Sequence, residues 1–248
     1  MGSGESMNFD PFGIDWDRPV SRTVEALEIM KRLWKEDEPF SFQGEFYNLE
    51  NGFLQLDSIQ KPHPPIYIAA NGPRAMRLVG RYYDGWVPML ETPEIYGKHV
   101  KIIEEGAKEN GRSIDDVDCS LTGVSIVCED TNDAYDIVAP IRQFLIYLPK
   151  KLVEAGYKAP AGYPDNYYLE NLMVTKEDTE KCAKAREYIT EEMVRDFLVI
   201  GTVEECIDKI ERYQKAGLNK LIIINLDPER ERTLGYYEKE IIPYFEEQ

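Results

Sequence analysis

Two short turns of small residues carry the chemistry this sequence offers, and both suit an anion. Asn71-Gly72-Pro73 lies between the apolar run Ile66-Tyr67-Ile68-Ala69-Ala70 and a helical stretch from Arg74 to Arg81. Strand, tight turn and helix in that order leave main-chain N–H groups and the positive end of a helix dipole at one spot, where a phosphate can sit. Arg74 adds a charge. Turn chemistry explains the same residues without a ligand, since Gly72 makes the bend and Pro73 starts the helix. The second turn, Gly2-Ser3-Gly4-Glu5 with Asn8 following, offers a close-approaching backbone, a hydroxyl, a carboxylate and an amide. A disordered end or a cloning remnant has the same composition. A ligand loop of this type also follows a strand, and none is legible before it.

Other reactive side chains point to packing. Cys119, Cys128, Cys182 and Cys206 form no CxxC pair and read as reduced thiols. Cys119 and Cys128 with His63 or His99 match no ordinary zinc spacing, so no metal is assigned. His63, between prolines, and His99, within a helix, read as surface or packing residues. Trp16, Trp34 and Trp86 read as packing residues, with Trp86 also placed to face a pocket just after a strand start.

The elements that must hold the turns alternate. Val20, Val24, Leu27, Met30 and Leu33 recur at helical steps between Arg18 and Lys35, and residues 40–56 form a hairpin or flap broken at Gly44 and Asn51-Gly52. Strands are expected at 66–70, 85–90, 117–128 and, buried, at 221–226. Helices are expected from Thr92-Pro93-Glu94 to Lys108, from about Asn132, from the capping-box sequence Thr202-Val203-Glu204-Glu205 to a stop at Gly217, and over 229–242. Continuous apolar strands alternating with helices predict an α/β protein with a parallel sheet. The stretch 129–200 interrupts the alternation as a helical insertion, divided by Pro140, Pro149, Pro160 and Pro164, in the position of a lid within a single domain spanning 1–248. A closed eight-stranded barrel takes about 250 residues, yet four strands are legible.

Composition narrows the function. With 29 basic against 46 acidic residues and a net charge of -17, the field repels a nucleic-acid backbone or an anionic membrane. No apolar run reaches the roughly 18–20 residues that cross a bilayer, and residues 1–10 hold no secretory signal. A cytoplasmic protein is expected.

Taken together, Gly-Ser-Gly-Glu-Ser-Met-Asn at 2–8, Pro11-Phe12-Gly13-Ile14-Asp15-Trp16, the helix through Thr23 to Trp34, the segment from Pro65 to Gly85 and Val199-Ile200-Gly201-Thr202 resemble the bacterial luciferase-like superfamily. The resemblance is closest to its coenzyme F420-dependent branch, the methylenetetrahydromethanopterin reductases and F420-dependent glucose-6-phosphate dehydrogenases. It runs from residue 2 to about 245 and implies a variant (β/α)8 barrel of TIM type, here lacking roughly its first third, which matches the strand deficit. The implied coenzyme contacts are Ser3, Gly4, Asn8, Asn71, Gly72, Arg74 and Ala75, with Glu5 as proton acceptor. The acidic residue, histidine and backbone bulge that the family carries on early strands have no counterpart. The implied function is hydride transfer between coenzyme F420 and a pterin-type or other small carbon substrate. The alternatives are an FMN-dependent luciferase-like monooxygenase, a non-catalytic binding or assembly subunit whose sheet edges a partner or second copy covers, and a recorded start downstream of the true one. A homo-oligomer is expected.

Overall fold

Local capping chemistry sets most element boundaries. The computed structural model describes residues 1–2, 4–15, 17–56, 58–170 and 175–247. A short helix α1 (Ser6–Phe9) and the amphipathic α2 (Pro19–Lys35) precede an antiparallel hairpin of β1 (Phe40–Gln43) and β2 (Asn48–Gly52). Then come β3 (Tyr67–Ile68), α3 (Pro73–Tyr82), β4 (Gly85–Trp86), α4 (Pro93–Glu109) and the long β5 (Asp118–Val127). Thr92 caps α4 by accepting from the Ile95 amide, with Pro93 in the first turn, as its sequence predicts.

The insertion is a string of short helices, as its prolines require. It holds α5 (Thr131–Val138), a 3-10 stretch over Ala139–Tyr147, α6 (Pro149–Glu154), α7 (Tyr167–Glu170), α8 (Lys176–Ala185) and α9 (Glu191–Phe197). Val199 and Ile200, which the sequence places at the end of the helical insertion, instead form with Gly201 a strand, β6 (Val199–Gly201), parallel to β5. Next come α10 (Val203–Lys215), opened by a complete Thr202/Glu205 capping box, and β7 (Lys220–Asn225). The chain finishes with α11 (Arg230–Tyr236), a π turn over Tyr237–Ile241 and α12 (Ile242–Glu246), so the single last helix read from sequence is interrupted. Gly217, with φ of 101°, takes the left-handed turn after α10.

β3, β4, β5, β6 and β7 make one parallel sheet, with both β6 and β7 on β5. Two apolar cores flank it. One joins Met76, Val79, Trp86, Tyr96, Ile103 and Tyr213, and the other joins Ile126, Val138, Ile146, Leu152, Val194 and Phe197 of the insertion and its strand. α3 and α4 cross with Gly80 and Gly106 at the contact. A Cβ on Gly80 would lie 2.0 Å from the Ile103 carbonyl oxygen, and one on Gly106 2.2 Å from that of Arg77. β7 is not the buried strand its sequence predicts, since Ile222 is 42% exposed and Leu226 37%. It pairs with β5, and no second strand pairs with it among the described residues.

No helix of the structure is long and apolar enough to cross a membrane among the described residues.

Candidate functional site

The residues before the Gly-x-Gly-Glu loop reach the sheet through an isolated bridge. Gly2 forms a parallel bridge with Ala69, and the Ala69 amide donates to the Met1 carbonyl at 3.1 Å. The loop therefore leaves the sheet beside the end of β3. Gly4 takes φ of 86°, and a Cβ there would run into the Phe9 ring at 2.2 Å, so both backbone and space call for glycine. Ser3 and Trp16 lie outside the described residues.

Beside this loop α3 begins. Gly72 is its extended N-cap with no side-chain cap, and the Met76 amide donates back to the Gly72 carbonyl at 2.9 Å. The N–H groups of the first turn thus have no intrahelical acceptor. Nothing lies within 4 Å of where a Gly72 Cβ would stand, so the backbone is open to a ligand. Arg74 donates from Nη2 to Ser21 Oγ on α2 at 3.0 Å.

Both turns open into one cavity of about 760 Å³, within the roughly 300–1,000 Å³ of small-molecule sites. Gly4, Glu5, Asn71, Gly72, Arg74 and Ala75 all line it. Asn8 does not, but its side-chain amide donates to Glu5 Oε1 at 2.7 Å and so reaches the cavity through that carboxylate. Ile68, Ala69, Ala70, Leu78, Val87 and Met89 form apolar wall near the carboxyl ends of β3 and β4.

The insertion closes part of the same cavity with Leu148, Lys150, Asn166, Tyr168 and Leu169. Sequence reasoning placed a lid there but named none of these residues, because no motif marks them. Tyr168 stacks on Tyr147 with ring centroids 5.6 Å apart, and its phenol lies within the influence of the Glu5 carboxylate. Burial first, and then the Glu5 carboxylate, push its phenol up to about 12, so at neutral pH Tyr168 is uncharged beside that carboxylate. Glu5 is half-buried and held by the Asn8 amide, so unlike a free terminal charge it has a partner that directs it.

A second charged cluster, which the sequence did not reveal, lies behind this wall. Leu90 takes a left-handed φ of 54° and turns Glu91 fully into the interior. There the Glu91 carboxylate pairs with the Lys151 ammonium through one oxygen and lies 3.0 Å from His99 Nδ1 through the other. Tyr213 Oη donates to the Glu91 carbonyl at 2.6 Å, and the Trp86 ring meets His99 edge-on. His99 is therefore a packing residue inside a charge network. Trp86 faces no pocket: it is fully buried and donates Nε1–H to the Ala70 carbonyl at 2.9 Å. His63 stands apart from the cavity, in a groove against α2, 3.8 Å from Asp84. The four cysteines are buried and unpaired.

Comparison with known proteins returns the same picture. The family model for luciferase-like monooxygenase matches residues 1–220. A phthiodiolone/phenolphthiodiolone dimycocerosates ketoreductase of Mycobacterium kansasii is 28% identical over 231 residues, covering 91% of this chain and 62% of the relative. A 5,10-methylenetetrahydromethanopterin reductase of Archaeoglobus fulgidus is 28% identical over 247 residues, covering 98% of this chain and 72% of the relative. The structure of the coenzyme F420 dependent tetrahydromethanopterin reductase from Methanopyrus kandleri superposes with a TM-score of 0.79 at 24% identity, over 99% of this chain and 73% of that one. The chain thus spans about three fifths of the length of the ketoreductase, and its α/β architecture is that of the luciferase-like TIM barrels.

Proposed function

This chain belongs to the luciferase-like monooxygenase family, and we propose that within it the chain is a coenzyme F420-dependent oxidoreductase acting on a pterin-type or other small carbon substrate. One observation carries the reading: the Gly4-Glu5 loop and the Asn71–Ala75 turn, far apart in sequence, line a single cavity. The similarity to F420-dependent and methylenetetrahydromethanopterin reductases supports the choice of coenzyme.

The residues present fit such a group. The first-turn amides of α3 and the Arg74 guanidinium hold a phosphate, and the open space over Gly72 lets it approach the backbone. Ile68, Ala69, Ala70, Val87 and Met89 give the ring system an apolar wall and exclude water from it. When bound, the deazaflavin supplies the hydride acceptor or donor. Glu5, aimed by Asn8 and flanked by the uncharged Tyr168 phenol, takes the proton released when a carbinol is oxidised and returns it in the reverse direction. The insertion residues complete the wall and order the substrate against the ring.

A fluorescence titration with coenzyme F420 tests this. Saturable binding is expected, weakened roughly tenfold in Arg74→Ala, the size of a lost charge-assisted hydrogen bond. No signal change at saturating coenzyme rejects the reading. FMN presents the same phosphate and tricyclic ring, and tighter binding of FMN than of F420 selects the monooxygenase alternative.

A second reading, a binding or assembly subunit, draws support from β7, where Ile222 stands exposed, with Leu226 exposed just after it. It joins the first in one further proposal, that the protein works as a homo-oligomer with this edge covered. Sedimentation as a monomer without hydrophobic-dye binding counts against it. Four buried thiols suit the reducing cytoplasm, where we place the protein.

A further inference from the structure

We propose that Lys150 is the contact for a carboxylate-bearing ligand tail in the cavity, and that the buried Glu91–Lys151–His99 cluster is the device that points it there. The proposal rests on the reading of the cavity as a coenzyme and substrate site, and extends it to the charge of what binds.

The first observation is a reversal of charge. The chain as a whole carries 46 acidic against 29 basic residues. The described residues lining the cavity carry two cations, Arg74 and Lys150, against one carboxylate, Glu5. A site for neutral ligands in so acidic a protein has no need of that excess, whereas an anionic ligand repelled by the general field requires it. Arg74 stands at the start of α3, where the phosphate is placed. Lys150 comes from a different element, the insertion, and so serves a different negative group.

The second observation is that the Lys150 charge is held only by a long, partly exposed ion pair across one helical turn. Its ammonium is 3.9 Å from Glu154 Oε1, beyond hydrogen-bonding range, and 40% of its side chain is exposed. Its neighbour is its opposite in every respect. Lys151 is 3% exposed and paired with the fully buried Glu91. Successive helical residues point about 100° apart, so anchoring Lys151 inward fixes the face that Lys150 presents. The Lys150 amide also donates to the Asp165 carbonyl at 3.3 Å, joining α6 to the segment that carries Asn166 and Tyr168. Lys151, Glu91 and His99 do not line the cavity; they are positioning residues.

A carboxylate tail can belong to a pterin substrate or to the coenzyme, and binding constants separate the two. Folate, a pterin with two carboxylates, 6-methylpterin, which has none, and coenzyme F420 serve as probes by isothermal titration. The intact chain is expected to bind folate about tenfold more tightly than 6-methylpterin, the value of one hydrogen bond to a charge. Lys150→Gln abolishes that preference and Lys150→Arg retains it, with F420 affinity unchanged, if the substrate carries the tail. If the coenzyme carries it, Lys150→Gln weakens F420 by about the same factor and leaves both pterins alone. A Lys150→Gln protein whose affinities for all three probes match those of the parent overturns the proposal. Loss of F420 binding in the parent chain sinks the coenzyme reading, yet the two pterins still report on Lys150.

The positioning role has its own readout. The paired replacement Glu91→Gln with Lys151→Met removes both buried charges and strands neither of them. It is expected to lose the Lys150-dependent preference although Lys150 itself is present. If that double variant retains the preference, the cluster does not point Lys150.

Discussion

Replacing Lys151 by methionine removes the ammonium from a carboxylate that has no access to water. Glu91 is 0% exposed and Lys151 3%, so solvent does not screen their attraction. In the variant Glu91 keeps His99, 3.0 Å away, and loses its cation. Breaking a buried pair from one side costs about 3–5 kcal/mol, because the remaining charge stays desolvated. For a chain of this size each kcal/mol lowers the melting temperature by about 2–4 °C, so a fall of roughly 6–20 °C is expected. Urea unfolding at pH 7 measures the same loss as free energy. Trp86 fluorescence is a local reporter, since that ring packs edge-on to His99 and stacks on Tyr96. Adding Glu91→Gln to Lys151→Met removes the stranded charge and should recover most of the loss, as replacing a whole buried pair often does. The coupling between the two sites is then at least about 2 kcal/mol. A Lys151→Met cost below about 1 kcal/mol, or costs that simply add, refutes the reasoning.

The helix crossing and the buried Lys209 give further tests. Gly106→Ala places a Cβ 2.2 Å from the Arg77 carbonyl oxygen, and the overpacking exceeds the gain in helix propensity, for a net loss of about 2 kcal/mol by urea unfolding. Gly235→Ala, in α11 with nothing within 4 Å of its Cβ, gains up to about 1 kcal/mol instead; equal effects at the two sites would remove the steric argument. Burial lowers the Lys209 ammonium to about 8 from 10.5, although it donates to the Arg195 and Asp196 carbonyls at the end of α9. Below pH 8 the lysine is charged in both folded and unfolded chains and the folded state bears the whole penalty, about 3 kcal/mol. Between pH 8 and 10.5 the folded state releases the proton first, so this group's contribution makes stability rise with pH. Lys209→Met should flatten that rise, and an unchanged slope argues against a depressed lysine.

What the sequence showed and what it hid divide along the range of the interactions. Thr92 and Thr202 announce their helices because the cap bonds span three residues. The Asn71-Gly72-Pro73 turn is equally legible as a strand-to-helix turn, since Gly72 and Pro73 are neighbours of the strand and the helix they join. β6 was hidden because three residues, Val199–Gly201, follow a helix with no turn signal long enough to mark a new strand. β7 was misjudged in burial, not in existence: its apolar run is continuous, but a run does not say which of its faces another element covers. Tyr168 was missed for a similar reason. Nothing local links a tyrosine in a proline-rich insertion with a glutamate in the first loop, and their contact exists only once the insertion has folded over the sheet.

The segment after β4 shows how these long-range features are tied to the short ones. Met89 lines the cavity, Leu90 is held in the left-handed region, and Glu91 goes inward to Lys151. A leucine with positive φ is disfavoured by roughly 1–3 kcal/mol and persists where its surroundings over-determine it. Here those surroundings are the ion pair on one side and the Met89–Thr122 bridge on the other. Three consecutive residues therefore connect the cavity wall to the anchor of the insertion. A shift of α6 that strained the Glu91 pair would be felt at Met89, and the reverse holds. The cavity wall and the insertion that closes over it are set by one piece of backbone.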